Sequence, residues 1–234
     1  MPNQYYPLEI TVSRLLNGHK LYPKDNIKYL GVYLDSTLSG EEHCKVLASK
    51  LRRANGLLSK LRHYVVKDEL ISIYHSLFSS HLTYGAQIWG QQHNCQTDII
   101  TRLQNRALRI LNFEDLDADP NPLYKEHGIL KVNDIIKIKN IELIYDYQNN
   151  LLPQSFQNDF LKLENIYTSV RTRNSRLGCL FVPRRNSTKY GLNSISHQSI
   201  LTWNTFTRLL NRNLALMPRN ELKCQLKRHF LQLY

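Results

Sequence analysis

The chain has 234 residues, of which 42% are apolar and 21% are charged, and this balance is typical of a globular protein. No run of about 18 or more apolar residues occurs, so a membrane-spanning helix is excluded, and the N-terminus lacks the basic and apolar segments of a signal peptide. Four widely spaced cysteines exclude a secreted disulfide scaffold. We therefore expect an intracellular protein, nuclear or cytoplasmic, with no membrane partner.

The net charge of +12 is concentrated in the last third of the chain. Residues 1–164 hold 19 Lys and Arg against 18 Asp and Glu, whereas residues 165–234 hold 12 Lys and Arg against a single acid, Glu221. A basic block of this kind indicates a polyanionic partner, most often nucleic acid. A basic surface that is simply solvated is the alternative interpretation.

Residues 6–36 have the pattern of a β ribbon. Apolar and polar residues alternate from Leu8 to Ser13, Asn17-Gly18 is a strong turn signal, and a second extended run spans 27–34. A ribbon of this size is marginally stable in water by itself. It must therefore pack on the helices that follow or on a partner domain.

A long amphipathic helix is predicted after the ribbon. Ser39 and Glu42 have the spacing of a capping box, which predicts that the helix begins at Ser39. One face is apolar through Leu47, Leu51, Ala54, Leu58 and Leu61. The other face is basic and carries Lys45, Lys50, Arg52, Arg53, Lys60 and Arg62.

A second long helix follows after a short connection. Its predicted apolar stripe consists of Leu70, Tyr74, Leu77, His81, Tyr84 and Ile88, with Ile73, Phe78 and Trp89 beside it. Two long helices joined by a short loop usually pack side by side in opposite directions. We therefore expect an antiparallel helical hairpin with the two apolar stripes as its seam.

Four further helices are predicted at about 98–112, 132–149, 197–211 and 219–233. The first of them carries a basic stripe of Arg102, Arg106 and Arg109. Residues 165–195 have no helical period and are rich in Arg, Ser, Asn and Gly, which predicts an irregular segment that is extended around residues 179–182.

These elements predict a mainly α fold with a small N-terminal β ribbon, an α+β chain in which a helical bundle is followed by a helical C-terminal region. We divide the chain into four parts. They are a β ribbon at 1–36, a helical hairpin at 37–92, a helical connector at 93–164, and a basic loop with the C-terminal helices at 165–234.

The sequence contains no motif of a known catalytic centre. Gly-rich phosphate loops, G-x-S-x-G and H-E-x-x-H are all absent. The acidic residues at 114–119 fall in a helix-terminating loop, whereas two-metal phosphoryl transfer needs carboxylates on rigid elements. His93 with Cys95 and Cys224 with His229 are isolated pairs, and a structural zinc site needs four ligands. We predict neither a catalytic nor a metal site.

Three basic surfaces are candidates for phosphate binding. They are the charged face of the first helix, the Arg102/Arg106/Arg109 stripe and the segment 171–189. Arginine suits this task because its planar guanidinium binds two phosphate oxygens at once. Aromatic residues in the last part, Tyr167, Phe181 and Tyr190, fit stacking on unpaired bases.

Residues 27–43, IKYLGVYLDSTLSGEEH, resemble a segment of the reverse transcriptases of non-LTR retrotransposons, the LINE/jockey-like group. In that family the signature KYLGV-x-LD-x-x-L-x-W-x-x-H follows the catalytic palm, forms the ribbon called the primer grip and enters the helical thumb. The resemblance continues in order over essentially the whole chain. Residues 51–62 resemble the family's first thumb helix, residues 73–89 its I-x-S-x-L-x-YG-x-x-x-W helix and residues 103–110 its LQ-x-RA-x-R-I helix. Residues 170–173 and 203–206 both resemble the tail of the family's polyproteins.

Two positions depart from the family pattern, since Gly40 stands where the family has Trp and Val66 where it has Pro. The family's catalytic carboxylates, in a Tyr/Phe-Ala-Asp-Asp turn plus an earlier Asp, have no counterpart in this sequence, and neither does its endonuclease domain. The resemblance therefore implies a separate fragment that begins in the last palm strands, with residues 1–36 as the remnant of palm and primer grip and residues 37–92 as the thumb.

The function implied by this resemblance is the primer-grip, thumb and C-terminal part of an RNA-directed DNA polymerase. Its partners would be an RNA/DNA template–primer and the missing palm. Magnesium would belong to that palm, so no cofactor is expected in this chain, and we expect no polymerase activity from it alone. The alternative is a non-enzymatic helical interaction module with no nucleic-acid role. The sequence leaves the oligomeric state open.

The resemblance also assigns residues to the expected interface. Tyr29, Leu30 and Gly31 would lie near the primer end, where a glycine lets backbone approach backbone closely. The arginines expected to contact phosphates are Arg52, Arg53, Arg102, Arg106, Arg171, Arg173, Arg184 and Arg185.

Overall fold

A computed structural model describes residues 15–16, 19–20, 24–91, 94–156, 159–162, 180–183 and 185–234. Its strands are β1 (Leu15–Leu16), β2 (His19–Lys20), β3 (Asn26–Tyr29), β4 (Val32–Asp35), β5 (Leu161–Lys162) and β6 (Phe181–Val182). Its helices are α1 (Glu41–Leu61), α2 (Lys67–Tyr74), α3 (Ser80–Thr83), α4 (Ala86–Trp89), α5 (Asn94–Asn112), α6 (Asn121–Glu126), α7 (Val132–Gln148), α8 (Lys189–Leu192), α9 (Ile195–Leu210) and α10 (Arg219–Gln232). The predicted mainly helical fold with a small N-terminal β ribbon is confirmed. Within the described residues, no helix is long and apolar enough to cross a membrane.

The N-terminal ribbon consists of short antiparallel hairpins. In the β3–β4 hairpin Tyr29 pairs with Val32, so Leu30 and Gly31 form the turn between the strands. Both turn residues have positive φ, 44° and 82°, as in the type I′ turns whose twist suits a two-residue hairpin. In the β1–β2 hairpin, the paired strands flank the predicted turn at 17–18, which itself lies outside the described residues.

Asp35 organises the connection from β4 to α1. Its carboxylate accepts hydrogen bonds from the Thr37 hydroxyl at 2.7 Å, the Ser39 backbone N–H at 2.7 Å and the Ser39 hydroxyl at 3.1 Å. Partial burial raises the pKa of Asp35, but these hydrogen bonds outweigh it and hold the pKa below its usual value. The prediction that α1 begins at Ser39 with a capping box is wrong. The helix begins at Glu41, after a left-handed Gly40, and Ser39 belongs to the Asp35 turn.

The second predicted helix is interrupted twice. A π-helical segment, His75–Ser79, follows α2. The helix is interrupted a second time at Tyr84 and Gly85, which separate α3 from α4. A π turn inserts an extra residue into the helix and so rotates the side chains that come after it. The buried side chains are therefore Leu70, Tyr74, Phe78, Leu82, Ala86 and Trp89. Tyr84 and Ile88, which the unbroken period predicts to lie in the apolar seam, are exposed.

The first hydrophobic core is built around α1 and α5. These two helices pack along each other. The predicted hairpin places the segment 67–89 as the main packing partner of α1, but α1 packs less extensively with α2 and the π-helical segment than with α5. Asn55 Nδ2 of α1 donates to the Leu103 carbonyl of α5 at 3.0 Å, and His63, just after α1, contacts Phe113, just after α5. The two helices therefore run parallel.

Helix α7 joins the first core to a second one. Its early residues Val132 and Ile136 pack with α1, α2 and α5, whereas Ile141 and Ile144 pack with α9 and α10. The side chain of Tyr234 packs against both cores, and its hydroxyl donates to Asp134 Oδ2 at 2.6 Å. The two cores are therefore linked through α7 and Tyr234.

A buried carboxylate links α7 to α10. Glu142 accepts from Lys139 Nζ at 2.7 Å and from Lys223 Nζ at 3.1 Å. Burial raises the pKa of Glu142, but the hydrogen bonds and charges of the two lysines outweigh it, so the pKa lies below its usual value. A carboxylate with a lowered pKa stabilises the fold above its unfolded-state pKa, and this stabilisation disappears as the pH falls through the folded-state pKa.

We therefore expect Glu142→Gln to lower the free energy of unfolding at pH 7 by about 1–2 kcal/mol, because one half-exposed and one partly exposed lysine lose their counter-charge. Urea unfolding of parent and variant should converge as the pH falls through the lowered folded-state pKa of Glu142, below which the carboxyl is protonated in both states. Glu41→Gln, which breaks an exposed ion pair with Lys45, is the matched control and should show no such pH-dependent difference. A Glu142→Gln effect that is the same at every pH would contradict the prediction.

Candidate nucleic-acid interface

The predicted primer-grip residues lie together on the exposed tip of the β3–β4 hairpin. Tyr29 and Leu30 are 62% and 74% exposed. The Tyr84 hydroxyl donates a hydrogen bond to the Leu30 carbonyl, and a Cβ at Gly31 would lie 3.3 Å from Tyr84 Cε1. Gly31 therefore allows the Tyr84 ring to pack closely against the hairpin tip. This contact fixes the tip to the break between α3 and α4.

Arg52 and Arg53 lie on opposite flanks of α1, because consecutive helical residues point about 100° apart. Arg53 lines a cleft of about 360 Å³ between α1 and the segment 75–83, which we call the α1–α3 cleft. Its lining residues are Lys50, Arg53, Ala54, Leu57, Leu77 and His81. Arg52 lies on the other flank, toward α5.

The α1–α3 cleft combines a cationic rim with an apolar floor. Within the described residues, neither Lys50 nor Arg53 lies within ion-pair distance of a carboxylate. Burial and then the charge of Lys50 lower the pKa of His81, so its imidazole is neutral at pH 7. Such a cleft suits an anion that carries an apolar or aromatic part. The predicted basic face of the first helix includes Lys50 and Arg53. The apolar side of the cleft was not predictable, since a periodic stripe predicts Leu77 and His81 only as part of the helix seam.

A second basic surface, the α1–α5 groove, lies on the solvent side between these two helices. It is bordered by Arg52 of α1 and by Arg102 and Arg106 of α5, which are all exposed and lie within one turn of the Asn55–Leu103 hydrogen bond. Arg102 Nε donates to the Asp98 carbonyl at 3.3 Å. In the part of the chain that the structure describes, no carboxylate forms an ion pair with any of the three. Their charge is available to an external anion.

Arg109, the third member of the predicted basic stripe on α5, has a different role. It is half-buried, and its Nε donates to the Ala118 carbonyl at 2.8 Å. It holds the acidic loop 114–119 against the end of α5.

The described structure includes only the last part of the basic loop, residues 180–183 and residues from 185 onward. Arg185 is exposed, whereas Arg171, Arg173 and Arg184 lie outside the described residues, as do Tyr167 and the side chain of Tyr190. The prediction that Phe181 stacks on bases is wrong. Phe181 is buried in the second core, where the Asn204 side chain accepts from its backbone N–H at 3.0 Å and donates to its carbonyl at 2.7 Å.

Part of the positive charge of residues 165–234 is neutralised by α7. Arg219 pairs with Asp146 at 3.1 Å, and Lys223 pairs with Glu142 at 3.1 Å. The remaining exposed cations of this region include Arg208 of α9, Arg212 in the connection after it, and Lys227 and Arg228 of α10. The charge asymmetry of the sequence is therefore smaller on the folded surface.

The Cys/His pairs of the sequence lie in unrelated surroundings. His229 packs edge-on against Phe206 with ring centroids 5.5 Å apart, and Cys224 is exposed. His93 and the side chain of Cys95 lie outside the described residues. Elsewhere, among the residues that the structure describes, no three His, Cys, Asp or Glu side chains converge on a point that would hold a metal ion.

Comparisons of the chain with protein-family models, curated proteins and solved structures found no match. The groove, the cleft and the hairpin tip are the surfaces of the described structure that bear on its function. Of these, the α1–α5 groove has the most specific chemistry, because its three arginines come from two helices and lack acidic partners in the described structure.

Proposed function

We propose that the chain is the primer-grip, thumb and C-terminal part of a non-LTR retrotransposon reverse transcriptase, and that it binds template–primer nucleic acid through the sugar-phosphate backbone. The observation that carries this proposal is the α1–α5 groove, where Arg52, Arg102 and Arg106 are exposed without a carboxylate partner among the described residues. Arginines in this state bind phosphates bidentately and release counterions from the nucleic acid.

The arrangement of side chains on α1 supports the binding of this helix along a nucleic-acid duplex. Arg52 is on one flank, Lys50 and Arg53 are on the other, and the exposed ridge between them carries the small residues Ser49 and Gly56. A helix of this kind approaches a duplex closely with its ridge, while cations on each side reach phosphates. The hairpin tip with Tyr29 and Leu30 would then contact the primer end.

The chain would supply binding and orientation only. Nucleotidyl transfer requires metal-binding carboxylates on a rigid scaffold, and the sequence contains no motif of that kind. Purified protein should therefore fail to extend a primer on an RNA template in the presence of magnesium and nucleotides. Incorporation above the background of a heat-denatured sample would contradict this part of the proposal.

The binding proposal is tested by the salt dependence of affinity for an RNA–DNA hybrid, measured by fluorescence anisotropy from about 50 to 200 mM salt. Log affinity should fall linearly with log salt, by about 0.7–0.9 for each neutralised phosphate. Replacing Arg52, Arg102 and Arg106 together by Gln should reduce this slope by about 2–3 and weaken binding by at least about tenfold at low salt.

The matched control is a variant that loses three positive charges at lysines already paired with carboxylates. Replacing Lys45, Lys67 and Lys137 by Gln removes three lysines whose amines lie 2.7–3.0 Å from carboxylates. The slope of this variant should stay close to that of the parent. Equal effects of the two triple variants would mean that net charge alone governs binding, and would contradict the assignment to the groove.

The second candidate function, a protein-interaction module without a nucleic-acid role, is favoured by the apolar character of the hairpin tip. Ile27, Tyr29 and Leu30 are more than half exposed. An exposed cluster of large apolar side chains is typical of a surface that contacts protein. Weak retention on nucleic acid that is indifferent to salt would favour this alternative.

A further inference from the structure

Phe113 has a backbone conformation that is rare for its residue type. It follows α5 with φ of 57°, in the left-handed region. The Glu114 N–H bonds to the Arg109 carbonyl at 3.0 Å and the Phe113 N–H to the Ile110 carbonyl at 3.4 Å, which is the hydrogen-bond pattern of a Schellman motif. Glycine is the usual residue at this position, and a bulky side chain there is strained. The backbone conformation therefore does not favour a phenylalanine at this position, and such strain often marks a functional position.

The Phe113 ring belongs to a cluster that stays open to solvent. The Arg62 guanidinium lies over the ring at 4.9 Å from its centroid, and the His63 ring meets it edge-on at 5.7 Å. Arg62 Nε also bonds to His63 Nε2 at 3.3 Å. Phe113 is nevertheless 58% exposed, and the neighbouring Tyr64 is exposed as well. We call Arg62, His63 and Phe113 the Phe113 platform.

The platform lies at one end of the α1–α5 groove. Since α1 and α5 run parallel, the residues that follow their C-termini meet at the same end of the helix pair. Lys60 and Arg106, both exposed, precede the platform on the two helices. Beyond it, the exposed acids Glu114 and Asp115 begin the loop 114–119. Cations therefore lead up to the platform, and carboxylates lie past it.

We propose that the Phe113 platform stacks on an unpaired base at the end of the strand whose phosphates lie in the α1–α5 groove; this inference rests on the proposed function. Aromatic rings and the guanidinium plane stack on any base, because every base has a π face. The carboxylates of the loop repel a phosphate backbone that would continue past Phe113, so the platform suits the last ordered base of a single-stranded extension.

The test compares three nucleic acids: a blunt RNA–DNA hybrid, the same hybrid with a short single-stranded extension, and one whose extension is abasic. The two extended hybrids carry the same number of phosphates and differ only in the bases of the extension. The parent protein should bind the hybrid with bases in its extension about tenfold more tightly than the abasic one. Phe113→Gly should remove this difference and leave the affinity for the blunt hybrid close to that of the parent. Phe113→Tyr should retain the difference.

The same variant separates loss of stacking from unfolding. Because glycine is favoured in the left-handed conformation, Phe113→Gly should unfold at a midpoint no lower than the parent's. Phe113→Asn, a second residue type that tolerates this conformation, should reproduce its binding result. Failure to bind the blunt hybrid at all would overturn the proposed function together with this inference. Salt-dependent binding to the blunt hybrid without discrimination between base and abasic extensions would overturn the platform alone.

Discussion

Replacement of Leu58 by alanine is expected to lower the free energy of unfolding by about 3–4 kcal/mol, whereas alanine at Leu57 should cost less than about 1 kcal/mol. The two leucines are neighbours on α1, but Leu58 is fully buried and Leu57 is 43% exposed. Truncation of Leu58 leaves a cavity in a core that several helices enclose, and such a core collapses only partly around it. Urea unfolding measures both changes.

The two tryptophans report how far this loss extends. Trp89 belongs to the first core and Trp203 to the second. Because α7 and Tyr234 pack in both cores, Leu58→Ala should lower the midpoint seen by each tryptophan when the other is replaced by Phe. A shift limited to the Trp89 signal would mean that the two cores unfold independently.

Alanine at Gly90 is expected to destabilise the fold by about 2–3 kcal/mol, whereas alanine at Gly56 should stabilise it by about 0.5–1 kcal/mol. A Cβ at Gly90 would lie 2.4 Å from the Ala86 carbonyl oxygen and 2.6 Å from Ile136 Cδ1, so the end of α4 would have to move away from α7. A Cβ at Gly56 would meet no atom within 4 Å, so the methyl group contributes only its helix propensity.

A double-mutant cycle identifies the cause of the Gly90 effect. In an Ile136→Ala background the side-chain contact is absent, and the additional cost of Gly90→Ala should fall by about half, with the carbonyl contact remaining. Thermal unfolding monitored by circular dichroism gives all four stabilities. An unchanged cost in that background would contradict the proposed close approach of α4 and α7.

The longer helices were predictable because their signals are local. The predicted helix at 132–149 is observed as Val132–Gln148, and the one at 219–233 as Arg219–Gln232. Apolar residues at helical spacing specify a helix wherever its apolar face becomes buried. The extended run predicted at 27–34 is only partly correct, because Leu30 and Gly31, both with positive φ, form a turn that divides it into β3 and β4.

The π-helical segment could not be predicted in the same way. Its extra residue at 75–79 lets Phe78 and Leu82 enter the core and turns Tyr84 toward the hairpin, where it bonds to Leu30. The π-helical segment is stabilised by packing with α1 and by the contact of Tyr84 with Leu30, which lies 54 residues away in sequence. A prediction from periodicity assumes a constant helical repeat, so after this insertion it places Tyr84 and Ile88 in the seam, although both are exposed.

The amino-acid sequence by itself determined the helical class, the position of most helices and the set of candidate phosphate-binding arginines. Only the tertiary structure decided which cations have acidic partners: Lys223 pairs with Glu142 and Arg109 binds a carbonyl, while Arg52, Arg102 and Arg106 border one groove. The physical reason is that helix periodicity depends on neighbouring residues, whereas charge pairing depends on segments that meet only after folding.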